Sequence, residues 1–312
     1  MSTGDRSAHR RPSPGPGSAG PPLASPGDPG LFGPDSITWR LHADPVAGVA
    51  GLRALLLQAL HPLAMAGVDE HSAFREDPWG RLSTTAAYVA TTTFGPTAEA
   101  EALGARVRRV HERVRGTDPE TGAEYSATDA DLLLWVHCCL VDSFLSTARR
   151  AGCPVSRAEA DTYVAEQVRA AELVGIPADR APRSCSQLDD ALADFRPALR
   201  VTPAARDAVA RVIVPPMPAA VALATPARPL WAGLGTLALA LLPRWAHRLY
   251  ALPTALVPEV ASRATTTVAL RGLRAGVTGL QRTVPALREP PPLREARRRL
   301  ADPAGAPPSA TG

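Results

Sequence analysis

The chain has 312 residues, of which 45% are hydrophobic and only 4% aromatic, so it can bury a substantial core of mostly alanine, leucine and valine. Every basic residue is an arginine, the formal net charge is only +4, and the arginines are spread along the chain. This distribution argues against a nucleic-acid partner. The cysteines form no C-x-x-C pair, so neither a zinc ribbon nor a secreted disulfide framework is indicated (Cys138, Cys139, Cys153 and Cys185).

The two ends of the chain differ in composition from the middle. Residues 1–34 are rich in proline, glycine and serine and are predicted to be a disordered tail, as are residues 301–312. Arg10-Arg11 resembles a twin-arginine signal, but no apolar stretch follows it, so a cytoplasmic protein is the expectation. A single helical domain is predicted between the tails, over residues 35–300.

The first long helix is predicted to be deeply buried. Asp44-Pro45 is typical of a helix start, with an N-cap followed by proline. The run that follows is apolar nearly all round, which favours a position in the core. Pro62 is expected to kink this helix just after His61.

The next helix carries an unusual polar face. Asp77-Pro78 predicts its start and Gly95-Pro96 its end. Between them lie polar side chains at spacings of four, three and four, which place them on one side of the helix (Arg81, Thr85, Tyr88 and Thr92). A polar stripe between apolar neighbours indicates a site, or ion pairs within the helix.

A third helix places a histidine on its apolar face. This face is formed by residues at helical spacing (Leu103, Val107, Val110 and Val114), and His111 shares it because it lies four residues after the first valine and three before the last. Gly116 is the predicted C-cap. The helix after it, opened by Thr128 or Asp129, holds His137 among leucines and a valine.

The second half of the chain predicts more helices. Ser156-x-x-Glu159 is a capping box for a helix through Val174, and further helices are expected from Ser184 and Thr202. The apolar run over 230–242 is shorter than the roughly 20 residues that span a bilayer. A long helix over 257–281 and an arginine-rich amphipathic end near 289–300 follow. Because alternating strand patterns are nearly absent, the predicted fold is all-α, a multi-helix domain around a buried pocket.

A haem group is the cofactor that these residues favour. Haem iron needs one axial imidazole in an apolar, helix-walled cavity, and its propionates need a cation. His111 and Arg81 would supply both, and Thr85 could hydrogen-bond a propionate or a bound oxygen species. The alternatives are purely structural roles, in which His111 is a core histidine and Arg81 forms an ion pair with Asp77 or Glu76.

The sequence pattern favours the remaining histidines less strongly as iron ligands. His137 is either the fallback iron ligand or a structural residue, His61 is expected to be structural, and His71 lies in a polar loop of undecided role. There is no H-E-x-x-H, Glu-x-x-His, G-x-S-x-G or Walker pattern. The spacing Gly233-x-Gly235-x-x-Ala238 lies inside an apolar run, so helix packing explains it better than a dinucleotide site.

Several spaced motifs resemble the family of mpaB-type oxygenases and latex-clearing proteins (rubber oxygenases). They are HPLAMAGVDEHSAF, DPWGRLSTTAAYVATTTFG, VRRVHERVRG and YSATDADLLLWVH, and the resemblance extends over roughly residues 36–290. It implies an all-helical fold around haem b and cleavage of carbon–carbon double bonds of isoprenoid chains with dioxygen. The arginine and threonine of the family motif match Arg81 and Thr85, and the proximal histidine matches His111.

The chain also departs from this family pattern. The rubber-cleaving members carry a lysine just before the motif threonine, and this chain has Thr84 there. The resemblance therefore implies a distal site without that cation, and it argues against rubber itself as the substrate. The family's catalytic glutamate has no clear counterpart, with Glu70 and Asp69 as the two candidates.

Together these observations predict a haem b-dependent oxygenase that acts on an apolar, isoprenoid-like small molecule with dioxygen. Arg81 and Thr85 are the expected catalytic residues, and His111 is the expected iron ligand. A non-enzymatic haem or lipid carrier is the first alternative. The second is a membrane-associated protein that uses the 230–242 run and the arginine-rich end near 289–300 as an amphipathic contact.

Overall fold

The computed structural model describes residues 27–251, 263–285 and 288–301. Residues 1–26 and 302–312, which belong to the predicted tails, lie outside the described residues. So do residues 257–262, the first part of the predicted long helix. The boundary predicted at residue 34 falls within the described part, and residues 27–34 there make contacts with the rest of the chain, as shown below.

The all-α prediction is confirmed. Apart from a small hairpin and a 3₁₀ turn at Arg196–Ala198, the regular elements of the described ranges are α-helices. They are α1 Ile37–His42, α2 Ala47–Gln58, α3 Pro62–His71, α4 Pro78–Phe94, α5 Thr97–His111, α6 Ala130–Arg150, α7 Arg157–Glu166, α8 Val168–Val174, α9 Cys185–Phe195, α10 Pro203–Ile213, α11 Ala219–Ala224, α12 Ala227–Ala240, α13 Arg244–Leu249, α14 Arg263–Thr283 and α15 Pro291–Ala301. The hairpin pairs β1 Arg115–Thr117 with β2 Glu124–Ser126 antiparallel.

The centre of the fold is α2 packed along α6, with α12 lying on α2. Trp135 of α6 is fully buried and donates its indole N–H to the carbonyl of Gln58 at 3.1 Å. Arg53 of α2 is also buried, and its guanidinium binds the Ser143 hydroxyl at 2.7 Å and the Asp142 carboxylate at 2.8 Å. A charge in the core is tolerated here because it is fully paired.

The bend predicted at Pro62 is confirmed. The axes of α2 and α3 differ by 105° across residues 59–61. Proline lacks the N–H needed to continue a helix but is well suited to the first turn of a new one. His61 is therefore the N-cap residue of α3, and its side chain is buried at the corner beside the rings of Trp135 and Phe195.

Most predicted helix starts are confirmed, but the one at Asp44 is wrong. Helix α2 begins at Ala47, and Val46 is its N-cap. The Asp44 carboxylate instead receives the backbone N–H of Val46 at 3.2 Å and pairs with Arg274 of α14 at 2.8 Å. Asp44, which the sequence pattern predicted to be an N-cap, is therefore an ion-pair partner of a distant arginine.

Two predicted helix extents also differ from the structure. Helix α5 ends at His111 rather than at Gly116, which lies in β1 opposite Tyr125. The backbone there is satisfied by the hairpin, and the Ala127 N–H donates to the carbonyl of Val114 at 2.8 Å. The helix predicted through Val174 is interrupted at Gln167, whose side chain donates to the Thr38 hydroxyl at 2.9 Å.

Residues 27–34 are held against α15. The Asp28 carboxylate accepts from the backbone N–H of Thr97 at 2.7 Å, and Arg299 donates to the Asp28 carbonyl at 2.9 Å. The apolar side of α15 packs into a small cluster (Trp39, Phe94, Leu293 and Ala296). The apolar face of this arginine-rich helix is therefore used inside the protein.

One described helix, α6, is long and apolar enough to cross a membrane, although 61% of its most apolar window is buried inside the protein. The core helix of a soluble protein passes the same test. Helices α2 and α3 also pass when taken together, but the 105° bend separates them.

Candidate functional site

Helix α4 presents the predicted polar face. Asp77 caps it by accepting from the Gly80 N–H at 2.8 Å, and Pro78 occupies the first turn, as expected. The Arg81 guanidinium donates to the Thr85 hydroxyl at 2.9 Å, and this hydroxyl donates to the Arg81 carbonyl at 3.0 Å. The threonine thus fixes the arginine through two hydrogen bonds within one turn of helix.

Arg81 lies on the exposed side of α4, where its side chain reaches solvent. The protein atoms around it lower the pKa of its guanidinium. Within the described residues Arg81 makes no ion pair with Asp77 or Glu76, so its charge is not used inside the helix.

The structure brings His111 close to Arg81. The histidine is the last residue of α5, which runs back along α4 after the turn at Gly95-Pro96. Burial lowers the pKa of the His111 imidazole, and the positive charge of Arg81 lowers it further. Thirty residues separate the two in sequence, so only the α4–α5 hairpin places them in one site.

One nitrogen of His111 lacks a partner. Its Nδ1 is buried and has no hydrogen bond within the described part of the chain. A buried imidazole nitrogen without a partner is costly unless a ligand or water satisfies it. The predicted apolar surroundings are only partly present, because Val110 is 52% exposed and Val114 lies beyond the end of the helix.

His137 lies on the buried side of α6. It is buried, and burial lowers its pKa to about 4. Phe144 lies two helical turns further along the same face and stacks against His42, which hydrogen-bonds Thr93 of α4. His137 is therefore on the side of α6 that looks toward α4, while its neighbour Val136 is 39% exposed.

The other predicted histidines lie elsewhere. The Nδ1 of His61 is buried without a hydrogen bond among the described residues, but this side chain is enclosed by aromatic rings at the α2–α3 corner. His71 ends α3 and contacts the Arg115 carbonyl at 3.3 Å. Within the described part of the chain, neither histidine is hydrogen-bonded to Arg81.

His42 is a buried polar residue that the sequence pattern did not single out. Its Nδ1 binds the Thr93 hydroxyl at 2.7 Å and its Nε2 binds the Tyr163 hydroxyl at 3.0 Å. Burial lowers its pKa to about 3. Its position three residues after Trp39, on the buried side of α1, could have indicated its burial from the sequence. Its hydrogen bonds join α1 to α4 and α7.

Residues 39–278 match the family described as ER-bound oxygenase mpaB/B'/Rubber oxygenase, catalytic domain. The chain belongs to this family. The match runs from the middle of α1 through most of α14 and confirms the resemblance seen in the sequence motifs. No curated protein and no solved structure matches the chain. The protein therefore contains an oxygenase catalytic domain.

Within this oxygenase domain, Thr84 supplies no positive charge next to Thr85. Its hydroxyl donates to the Gly80 carbonyl at 2.8 Å, along the helix. The charge of the α4 face is therefore carried by Arg81. Tyr88, one turn beyond Thr85, has its pKa raised to about 12 by burial.

The two candidate acids of the oxygenase domain sit in different environments. Asp69 forms an ion pair with Arg75, which also binds Asp207 of α10 at 2.9 Å. Glu70 is more exposed and accepts a hydrogen bond from the Tyr125 hydroxyl. Asp69 is thus committed to a structural pair, whereas Glu70 retains a solvent-facing carboxylate.

Two shallow clefts in the described part of the oxygenase domain are lined by residues outside α4 and α5. One, of about 540 Å³, includes Phe32, Arg169 and Arg183 in its lining, and the other, of about 340 Å³, lies at the end of α14. Among the described residues there is also no group of three or more His, Cys, Asp or Glu side chains that could hold a metal ion.

Proposed function

We propose that this oxygenase binds haem b through His111 and oxidises an apolar, isoprenoid-like small molecule with dioxygen. The observation that carries the proposal is the buried, unpartnered Nδ1 of His111 beside the charge of Arg81. Family membership supports the oxygenase part.

The protonation state of His111 suits a metal ligand. Burial and the nearby guanidinium both lower its pKa from the ordinary value of 6.5, so the imidazole is neutral at neutral pH. A neutral imidazole has a free lone pair for iron, whereas a protonated one does not. Bound haem would supply the iron on which dioxygen is activated.

Arg81 and Thr85 would serve the carboxylate side of such a group or its oxygen-binding face. Arg81 carries a charge that no described acid neutralises, and its guanidinium geometry suits a propionate. Thr85 holds the guanidinium in place at 2.9 Å. Thr84 would add no cation beside such a group, because its hydroxyl is bonded along the helix to the Gly80 carbonyl.

Helices α4 and α6 both carry apolar side chains that pack on the core. Leu82 and Val89 of α4, with Leu133 and Leu140 of α6, are partly buried against the main core. Side chains of this kind bind hydrocarbon and exclude water from the reacting atoms. They support an apolar substrate without identifying it.

The absorption spectrum of the purified full chain, with a pyridine haemochrome assay after haem addition, tests the cofactor. We expect a Soret band and stoichiometric haem b, and we expect His111→Ala to lose both while His137→Ala keeps them. A protein that takes up no haem would refute the proposal. Retention by His111→Ala with loss in His137→Ala would move the ligand to α6.

Oxygen consumption separates the enzyme from the haem-carrier alternative. The haem-loaded protein is given squalene, an unsaturated isoprenoid, in detergent, and dioxygen uptake and carbonyl products are measured. We expect uptake that falls in Arg81→Gln, with Arg106→Gln on the exposed side of α5 as the matched control. Haem binding without uptake on unsaturated substrates would favour the carrier.

A further inference from the structure

Helix α14 combines a buried inner face with an outer face that nothing covers among the described residues. Leu270 is fully buried and Leu273 packs against the core, so these two residues anchor the helix on α6 and α12. On the opposite side Val268 is 70% exposed. Small residues continue this outer face at helical spacing (Gly272, Ala275 and Gly279).

The charge of this region is of one sign. Residues 260–288 contain arginines and no aspartate or glutamate (Arg263, Arg271, Arg274, Arg282 and Arg288). Arg274 points inward to Asp44, and the nearest following acid, Glu289, pairs with Arg297. Within the described ranges, Arg271, Arg282 and Arg288 therefore have no acid partner.

A cleft lies at the end of this helix. It has a volume of about 340 Å³ and is lined by hydrogen-bond donors (Thr278, Gln281, Arg282 and Arg288). Two guanidinium groups with a hydroxyl and an amide are the donors that bind phosphate oxygens. Arg271 lies on the same flank as Arg282, about 16 Å away along the helix, given a rise of 1.5 Å per residue.

We propose that the outer face of α14 docks on an anionic phospholipid surface, with lipid phosphates bound by Arg282 and Arg288. An exposed valine, Val268, beside arginines without an acid partner is typical of helices that lie in a membrane interface. A second copy of the chain fits this face less well, because a two-fold pairing would set arginine against arginine. The inference does not depend on haem or on the reaction.

Vesicle co-sedimentation of the full chain tests this proposal. Vesicles of phosphatidylcholine alone are compared with vesicles containing phosphatidylserine, at low and at high salt. We expect binding to the anionic vesicles only, weakened by salt. The double variant Arg282→Gln/Arg288→Gln should bind about thirtyfold more weakly, because each basic residue near such a surface contributes about fivefold to the affinity.

Matched variants separate α14 from the two surfaces that the sequence pattern suggested. Arg294→Gln/Arg298→Gln removes the same charge from α15, and Leu230→Asp changes an exposed leucine of α12, which is 64% exposed. We expect Val268→Asp to reduce binding and the α12 and α15 variants to leave it within about twofold of the parent.

Several outcomes would overturn the proposal. Equal binding to neutral and anionic vesicles would do so, as would an unchanged affinity of the α14 variants. Tighter binding to duplex DNA than to vesicles at equal salt would assign the arginines to nucleic acid. A dimer in solution that Gly272→Leu disrupts would assign the face to a second copy. Circular dichroism of each variant confirms that the helices are retained.

Discussion

The buried core and the open face formed by α4 and α5 both contain arginine and histidine side chains, but these side chains are paired differently in the two places. In the core, Arg53 binds a carboxylate, a hydroxyl and a carbonyl, and both ring nitrogens of His42 are hydrogen-bonded. On the open face, Arg81 binds only Thr85 among the described residues, and His111 has a buried nitrogen without a partner.

This difference shows how a helical fold separates support from function. A fully paired polar group fixes the helices that contribute its partners, at a cost if any partner is removed. An incompletely paired one leaves bonding capacity for a ligand. The α4–α5 residues therefore carry the proposed cofactor site, while His42 and Arg53 hold the scaffold behind it.

Trp135→Ala should have the largest effect on stability. The side chain is fully buried, and its removal leaves a cavity and an unpaired Gln58 carbonyl, so we expect a loss of roughly 3–5 kcal/mol. The adjacent Val136→Ala is the control, because Val136 is 39% exposed and should cost about 1 kcal/mol or less. Urea unfolding measures both, and equal losses would contradict the division between core and open face.

His42→Ala should come next. It removes two hydrogen bonds and leaves the hydroxyls of Thr93 and Tyr163 buried without that partner. We expect a loss of roughly 2–4 kcal/mol, since each unsatisfied buried group costs about 1–3 kcal/mol. Equilibrium unfolding measures the change, and a loss below about 1 kcal/mol would show that the α1–α4–α7 junction tolerates disruption.

Acidification should destabilise the scaffold through its buried histidines. Burial lowers the pKa of His42 to about 3 and of His137 to about 4, below the unfolded value of 6.5. The unfolded chain therefore binds more protons below pH 6.5, so stability is complete above that pH and falls as pH drops toward 4. Each such histidine contributes up to about 1.4 kcal/mol per pH unit.

Unfolding measured between pH 7 and pH 5 reports mainly this effect, because that range spans the ordinary histidine pKa of about 6.5 and lies above the ordinary pKa values of aspartate and glutamate. The pKa of Glu159, for example, is lowered to about 2 by the capping hydrogen bonds from Ser156, so its contribution is lost only at lower pH. His42→Gln should reduce the slope of stability against pH. An unchanged slope would show that the pKa of His42 is not lowered in the folded protein.

The smallest effect on stability should come from His111→Ala without haem. The substitution deletes a buried nitrogen that has no partner in the described structure, so we expect a change of about 0.5 kcal/mol or less, or a slight gain. The difference between the stability losses of His111→Ala and His42→Ala directly tests whether the open face and the core differ in this way. A loss as large as that of His42→Ala would make His111 a scaffold residue.

The parts of the fold that follow from short spacings were predictable. Asp77, Asp129 and Ser156 cap their helices as expected, because each cap involves atoms within three residues. The contact of Arg81 with Thr85 follows from a spacing of four on one helix. For the same reason Pro62 could be assigned as the bend.

Tertiary structure decided the features that sequence spacing did not predict, because the partners are far apart in sequence. Asp44 pairs with Arg274, 230 residues away, instead of capping a helix. Helix α5 ends at His111 because the residues after it form the hairpin with Tyr125. His42 is paired by residues 51 and 121 positions along the chain. No local pattern reports whether a histidine finds such partners.

The sequence by itself determined the helical class, the family and the residue types of the candidate site, since periodicity, caps and motif order are encoded locally. The structure decided which histidine is satisfied and which is left with a free nitrogen next to Arg81. The physical reason is that burial and hydrogen bonding depend on how α1, α4, α5 and α7 pack together. Their packing turned two similar histidines into a structural junction and a proposed iron ligand.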